Sequence, residues 1–149
     1  MSTSVGEQIV AAMVTALNAP TNKPCVTQRS RVDALAAAEF PAFVLYSVDE
    51  RADLKGPNTV MRTRTVRLEV MVQGEPPADV QLDPLYVYAV QTLIADPTLT
   101  APGTGLTRQL RDTRVQWEVE ASYQDVALAL VDFEAVFVTT KDPSVRVTQ

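Results

Sequence analysis

The sequence predicts an α+β fold: a mainly antiparallel β-sheet with two amphipathic helices packed on one face and a protruding β-hairpin or loop. Three observations carry that prediction. Apolar residues recur at helical spacing near residues 5–17 and 82–94. Elsewhere, around residues 59–73, 115–121 and 126–138, apolar residues alternate with polar ones, as in half-buried strands. Pro, Gly and Asp collect between these segments, where turns belong.

The first helix opens at Ser4-Val5-Gly6-Glu7, which has the form of a capping box. The Ser4 hydroxyl accepts from the Glu7 amide, and the Glu7 carboxylate reaches back to the Ser4 amide. Val5, Ile9, Ala12, Met13, Ala16 and Leu17 then build one apolar face, and Asn18 and Pro20 end the helix. Residues 25–31 are a short polar strand candidate for a sheet edge. Residues 32–40 are alanine-rich and read as a loop with one helical turn. After Pro41, the β-rich run from Ala42 to Val48 predicts a central strand. Residues 49–58 are charged and contain Gly56-Pro57, which predicts a loop.

In residues 59–73, Val66, Leu68, Val70 and Val72 share one face, and Arg67, Glu69, Met71 and Gln73 the other. Arg62 and Arg64 fall in the register of the apolar face. A strand cannot bury both kinds of residue against one core, so residues 60–65 are expected to leave the sheet as a hairpin arm. Pro76-Pro77 marks a turn. The second helix shows Leu82, Leu85, Tyr86, Ala89, Val90, Leu93 and Ile94 at 3-4 spacing. Asp83-Pro84 fits an N-cap with proline at the first helical position, and Pro84 is expected within the first turn even if the helix begins earlier. Asp96-Pro97 closes it. A loop is expected at residues 98–105, then a half-exposed strand on Val115, Trp117, Val119 and Ala121. The last strand runs Ala127, Ala129, Val131, Phe133, Ala135, Phe137 on one face. Leu128, Leu130, Val136 and Val138 join Asp132 and Glu134 on the other, which places this strand inside the sheet. Residues 141–149 form a polar tail, loose or docked on a neighbour. The whole chain, 1–149, reads as one domain, long enough for its own core.

Composition narrows function. Hydrophobic residues make up 46 % and charged residues 21 %, and the net charge is −5. An acidic excess speaks against nucleic-acid binding, which needs clustered Lys and Arg. Cys25 is the single cysteine, so no intrachain disulfide forms, cytosolic synthesis is expected, and the residue reads as a small core side chain. There is no histidine, the usual acid-base group at neutral pH. The carboxylate pairs Glu118 with Glu120 and Asp132 with Glu134 read as a solvated or interface-facing sheet surface, not as a catalytic dyad. Ala101-Pro102-Gly103-Thr104-Gly105 lacks a following Lys-Ser/Thr and precedes a strand, so it is no phosphate cradle. No cysteine-histidine or calcium-loop spacing occurs, and neither a metal nor a cofactor is expected. Arg62, Arg64 and Arg67 are the one basic cluster. They could meet phosphates, but a subunit-pairing or solubilising arm is the plainer reading. Trp117 reads as a core or interface aromatic. No targeting segment is visible, and the longest apolar run, at residues 126–131, falls far short of the roughly 20 residues that span a membrane.

The order of segments resembles the tail terminator proteins of long-tailed bacteriophages, also called minor tail or tail completion proteins. EQIVAAMVTAL looks like their opening helix, and RSRVDALAAAEFPAFVLYSVDE like their loop, acidic residue, proline and apolar strand ending in tyrosine. RTRTVRLEVMVQG is similar to their long strand, LYVYAVQTLIADPTL to their second helix with its Asp-Pro-Thr-Leu exit, and WEVEASYQDVALALVDFEAVF to their closing hairpin. The likeness spans about residues 7–140. Pro76-Pro77 and Pro84 depart from an alanine-rich start of the second helix. The resemblance implies a non-enzymatic structural protein of the virion tail or neck, assembled in the host cytoplasm. It would form a ring, usually hexameric, that caps the finished tail tube and joins it to the head connector. Implied partners are further copies of itself, the tail tube protein and the head–tail connector protein, with no specific nucleic-acid binding and no membrane. No catalytic, cofactor-binding or metal-binding residues carry over. Candidate contacts between subunits or with the tube are Arg51, Asp53, Lys55, Arg62 and Arg64, on the expected arm. The alternatives are a neck protein joining head and tail, a non-viral α+β ligand-binding or regulatory module, and an enzyme dependent on a carboxylate.

Overall fold

The computed structural model describes residues 3–30, 40–73, 77–96, 99, 107–118 and 126–147. The elements are α1 (Val5–Asn18), β1 (Thr27–Arg29), β2 (Ala42–Gly56), β3 (Thr59–Gln73), α2 (Ala78–Ile94), β4 (Gln109–Glu118) and β5 (Val126–Thr139). The five strands form one sheet in the order β1-β2-β3-β5-β4. Every pairing is antiparallel except β1 with β2, which is parallel. The chain between β1 and β2 is too long to be a tight turn, so it does not force the antiparallel sense.

α1 forms as its sequence dictates, with one exception. The Ser4 hydroxyl accepts from the Glu7 amide at 3.1 Å. Glu7 does not complete the box, because its two carboxylate oxygens accept from Arg29 on β1 at 2.7 and 3.1 Å. A bidentate charge-assisted pair outweighs one backbone bond. At the far end, the Asn18 amide group clamps Thr27, accepting from its N–H at 2.8 Å and donating to its carbonyl at 3.1 Å. Of residues 32–40, expected as a loop with a helical turn, all but Phe40 lie outside the described residues.

β2 is twice as long as expected. The charged stretch predicted as a loop is strand as far as Gly56, and only Pro57-Asn58 make the turn. Alternating charges suit a strand whose faces are wet, and the ladder to β3 holds it. β3 is likewise no free arm. It pairs with β2 on one side and with β5 on the other along its whole length, Val60 opposite Thr139 to Gln73 opposite Val126. The hairpin therefore stays in the sheet, and among the described residues no strand pairs with the outer edge of β2 beyond Ser47.

α2 begins at Ala78, capped by Pro77, so Pro84 sits inside the helix and not in its first turn. Proline there removes the bond to the carbonyl of Val80 and costs the helix stability. Burial of Leu82 offsets that cost by holding the earlier turn onto the core. β4 starts at Gln109, six residues before the strand expected at Val115, and Val119 and Ala121 lie outside the described residues.

Both helices cover the same face of the sheet, α1 toward β1 and β2 and α2 over β3, β5 and β4. Between them lies one core, built from Ile9, Met13 and Leu17 of α1, Leu82, Ala89 and Leu93 of α2, and the inward rows of β2, β3 and β5. Val66, Leu68, Val70 and Leu93 are fully buried and Leu85 nearly so, as the helical and strand periodicities require. Tyr88 links the layers: its ring stacks on Phe43 and its hydroxyl donates to the Leu17 carbonyl at 2.9 Å. The C-terminal segment is docked on its own chain. Val147 donates to the Val138 carbonyl, Thr140 to the Val145 carbonyl, and Arg146 bridges Thr139, so it continues the ladder along β5 beyond the start of β4.

Candidate functional site at the sheet edges

The placement of Arg62 and Arg64 turns on one backbone irregularity. A β-bulge between Ser47 and Asp49 shifts the parity of β2, so Glu50 lies opposite Arg64 on the helix-covered face. Its carboxylate accepts from Arg62 Nη1 at 3.2 Å and from Arg64 Nε at 2.9 Å. Arg62 Nε also donates to the Thr139 hydroxyl at 2.8 Å, and Arg64 Nη1 to the Ser47 hydroxyl at 3.2 Å. The two arginine side chains are only 13 % and 15 % exposed. The N-terminus of α1 lies directly over Arg64. Gly6 makes this approach possible, since a β-carbon there would overlap the guanidinium. These arginines thus close the end of the core instead of leaving it. Sequence periodicity could not show this, because Glu50 is out of phase with Phe43 and Leu45 until the bulge is known.

The helix-free face carries a second set of pairs. Arg67 donates from Nε and Nη2 to Asp132 at 2.8 and 3.2 Å. That hydrogen bond is the main reason the Arg67 guanidinium holds its proton even more firmly than usual. The Tyr46 hydroxyl donates to Glu69 at 2.8 Å. Burial first, and then the Glu69 carboxylate, push that phenol above its ordinary value. Glu134 accepts from Arg111 at 2.9 Å and lies 3.7 Å from Arg51. Asp132 is 9 % exposed, so the expected solvated acidic surface is here a paired one. Glu120, the partner expected for Glu118, lies outside the described residues. Glu7 is held below the usual carboxylate range, chiefly by its hydrogen bond from Arg29 and also by the charges of Arg29 and Arg64. Cys25 is packed against the core, and burial pushes its thiol up to about 11. Among the described residues no group of three or more His, Cys, Asp or Glu is placed to hold a metal. None of the described helices is long and apolar enough to cross a membrane.

Of the five sequence-predicted contact residues, the structure separates two from three. Arg62 and Arg64 are engaged with Glu50 inside the chain. Arg51, Asp53 and Lys55 share the helix-free row of the outer half of β2, with side chains 76 %, 71 % and 49 % exposed. Lys55 and Asp53 pair at 2.9 Å along that row. β1 covers only Phe43–Leu45 of β2, so among the described residues no strand pairs with the outer edge beyond Ser47.

The exposed large apolar side chains sort onto the two sides of the sheet. Val26, Val48 and Leu54 lie along the β1–β2 edge, and Val80, Val87, Ile94 and Trp117 along the α2–β4 side, with Val145 next to it on the C-terminal segment. Trp117 packs edge-on against Tyr86 at 5.6 Å. Among the described residues, Trp117, Asp79, Val80 and Asp83 line a groove of about 390 Å³ between α2 and β4. Val80, Val87 and Ile94 are seven residues apart, so they share one flank of the helix. α2 is therefore apolar on two sides, and the spacing that revealed its core face hid this second stripe.

No family model and no curated protein sequence matches the chain. Among solved structures it is similar to a chain from the virion of a native gene transfer agent particle, with a TM-score of 0.53 and 14 % identity. The match covers 91 % of this chain and 98 % of that one, so the likeness is one of the whole fold.

Proposed function

We propose that this protein is a structural subunit of a phage-like virion, and that it forms a ring that caps the tail tube and joins it to the head connector. The observation that supports the reading is the likeness to a virion chain over nearly the full length of both molecules. It agrees with the independent resemblance of the sequence segments to tail terminators. The surfaces fit the role as well. A ring subunit needs two different surfaces on opposite sides, because head-to-tail contacts close into a ring when the rotation allows. Here the exposed apolar residues occupy two opposite sides of one sheet. In this reading the protein acts by binding and not by catalysis. Its partners are its own copies, the tube protein and the connector protein, and six copies is the expected number.

Imaging of assembled particles tests the proposal. The expected density is a ring of this fold on the tail axis, between tube and connector. Particles made without the protein should show unjoined heads and tubes of unregulated length. A ring placed wholly within the neck, out of contact with the tube, would shift the assignment to a neck protein. A single off-axis copy, or normal particles without the protein, would overturn it.

A further inference from the structure

We propose that the open half of β2 in one copy docks against the α2–β4 side of the next, with Leu54 on the Val80–Val87 stripe and with Arg51 and Lys55 toward Asp79 and Asp83. This rests on the ring reading above and names the two surfaces that would meet. Three observations carry it. First, among the described residues each surface is unfinished by itself: the β2 edge beyond Ser47 has no strand paired to it, and α2 carries an exposed apolar stripe. Leu54 is 62 % exposed on the β2 edge, and Val80 is 64 % exposed on the flank of α2 that it shares with Val87 and Ile94, an aligned stripe and not scattered surface residues. Second, the charges are complementary. α2 carries Asp79 and Asp83 and no lysine or arginine, so its groove presents two carboxylates beside an aromatic ring. The β2 edge offers two exposed cations, and the indole of Trp117 is a favourable neighbour for a guanidinium. Third, the two surfaces lie on opposite sides of the sheet and differ from each other. A contact between them is heterologous and leaves the pair with one free β2 edge and one free α2–β4 side, so that further copies can add until the ring closes.

Cross-linking separates this docking from the ring itself. A chain carrying both Leu54→Cys and Val87→Cys should, on mild oxidation, give a ladder of disulfide-linked copies on a denaturing gel, ending at the ring number. Either substitution alone should give none. Arg51→Glu with Lys55→Glu should weaken self-association at least roughly tenfold, and so should Asp79→Lys with Asp83→Lys. All four together should recover most of the loss, because the pairs are swapped and not removed. Melting temperatures of the variants should stay near wild type, since none of these side chains is buried. If the wild type assembles but the double-cysteine chain yields no ladder and the four-fold swap restores nothing, the docking is wrong while the ring stands. Dimers from Leu54→Cys alone would mean that β2 edges pair with each other, which also overturns it. A wild type that stays monomeric at its highest soluble concentration refutes the docking, and the particle image then decides the ring separately.

Discussion

Glu50 is the residue whose removal should tell most about this fold. Its carboxylate is bonded to both Arg62 and Arg64, through bonds of 3.2 and 2.9 Å, and its side chain is 22 % exposed. Hydrogen bonds to charged groups contribute about 1.5–3 kcal/mol each when well desolvated. Both arginines keep a hydroxyl partner, Thr139 or Ser47, and some solvent, which lowers the loss. Glu50→Ala leaves two like charges together at the end of the core. The expected cost is about 2–4 kcal/mol, below the ~3–5 kcal/mol of a fully buried broken pair. For a chain of 149 residues that corresponds to a fall in Tm of roughly 6–12 °C. Thermal unfolding by circular dichroism measures it directly. The control is Glu50→Ala combined with Arg62→Met and Arg64→Met, which removes the stranded charges and should recover most of the lost stability. A Glu50→Ala protein melting with wild type would refute the reasoning. So would a triple variant no more stable than the single one, since the penalty would then not come from unpaired guanidiniums.

Three further outcomes are expected. Leu93→Ala removes a fully buried side chain between α2 and the sheet, and should cost about 2–5 kcal/mol in denaturant unfolding; an unchanged midpoint would mean that the site collapses without a cavity. Glu7, with its carboxyl below the ordinary value of 4.5, stabilises the folded chain above that pH and loses this contribution as pH falls through its folded value. Its side chain is 43 % exposed, so the difference from Glu7→Gln should be only about 0.2–1 kcal/mol near neutrality and vanish in acid; a gap independent of pH would show that the charge is not the cause. Cys25, with its thiol raised to about 11 from 9.0, should react with a thiol reagent at mildly alkaline pH roughly 100-fold more slowly than in the unfolded chain, and equal rates would show that the thiol is not held in its neutral form.

Much of the architecture was legible in residue order. The alternation in Val66–Val72 and in Ala127–Phe137, and the 3-4 spacing around Leu85, Ala89 and Leu93, each report a core facing one side of an element, and all these residues are buried there. The strand and helix periods are local properties of the backbone, so sequence alone determined the α+β class, the amphipathic faces and the cap at Ser4. Tertiary structure decided what local pattern cannot encode. A charged run of residues 49–56 looks like a loop until β3 lies beside it, because only the ladder supplies the hydrogen bonds that make it a strand. Arg62 and Arg64 look expelled from the core until a one-residue bulge turns Glu50 to meet them. Ile94 reads as part of the core face of the second helix until the packing leaves it exposed, on one flank with Val80 and Val87. In each case the deciding contact joins residues distant in sequence or depends on a single register shift, and neither leaves a periodic trace in the chain.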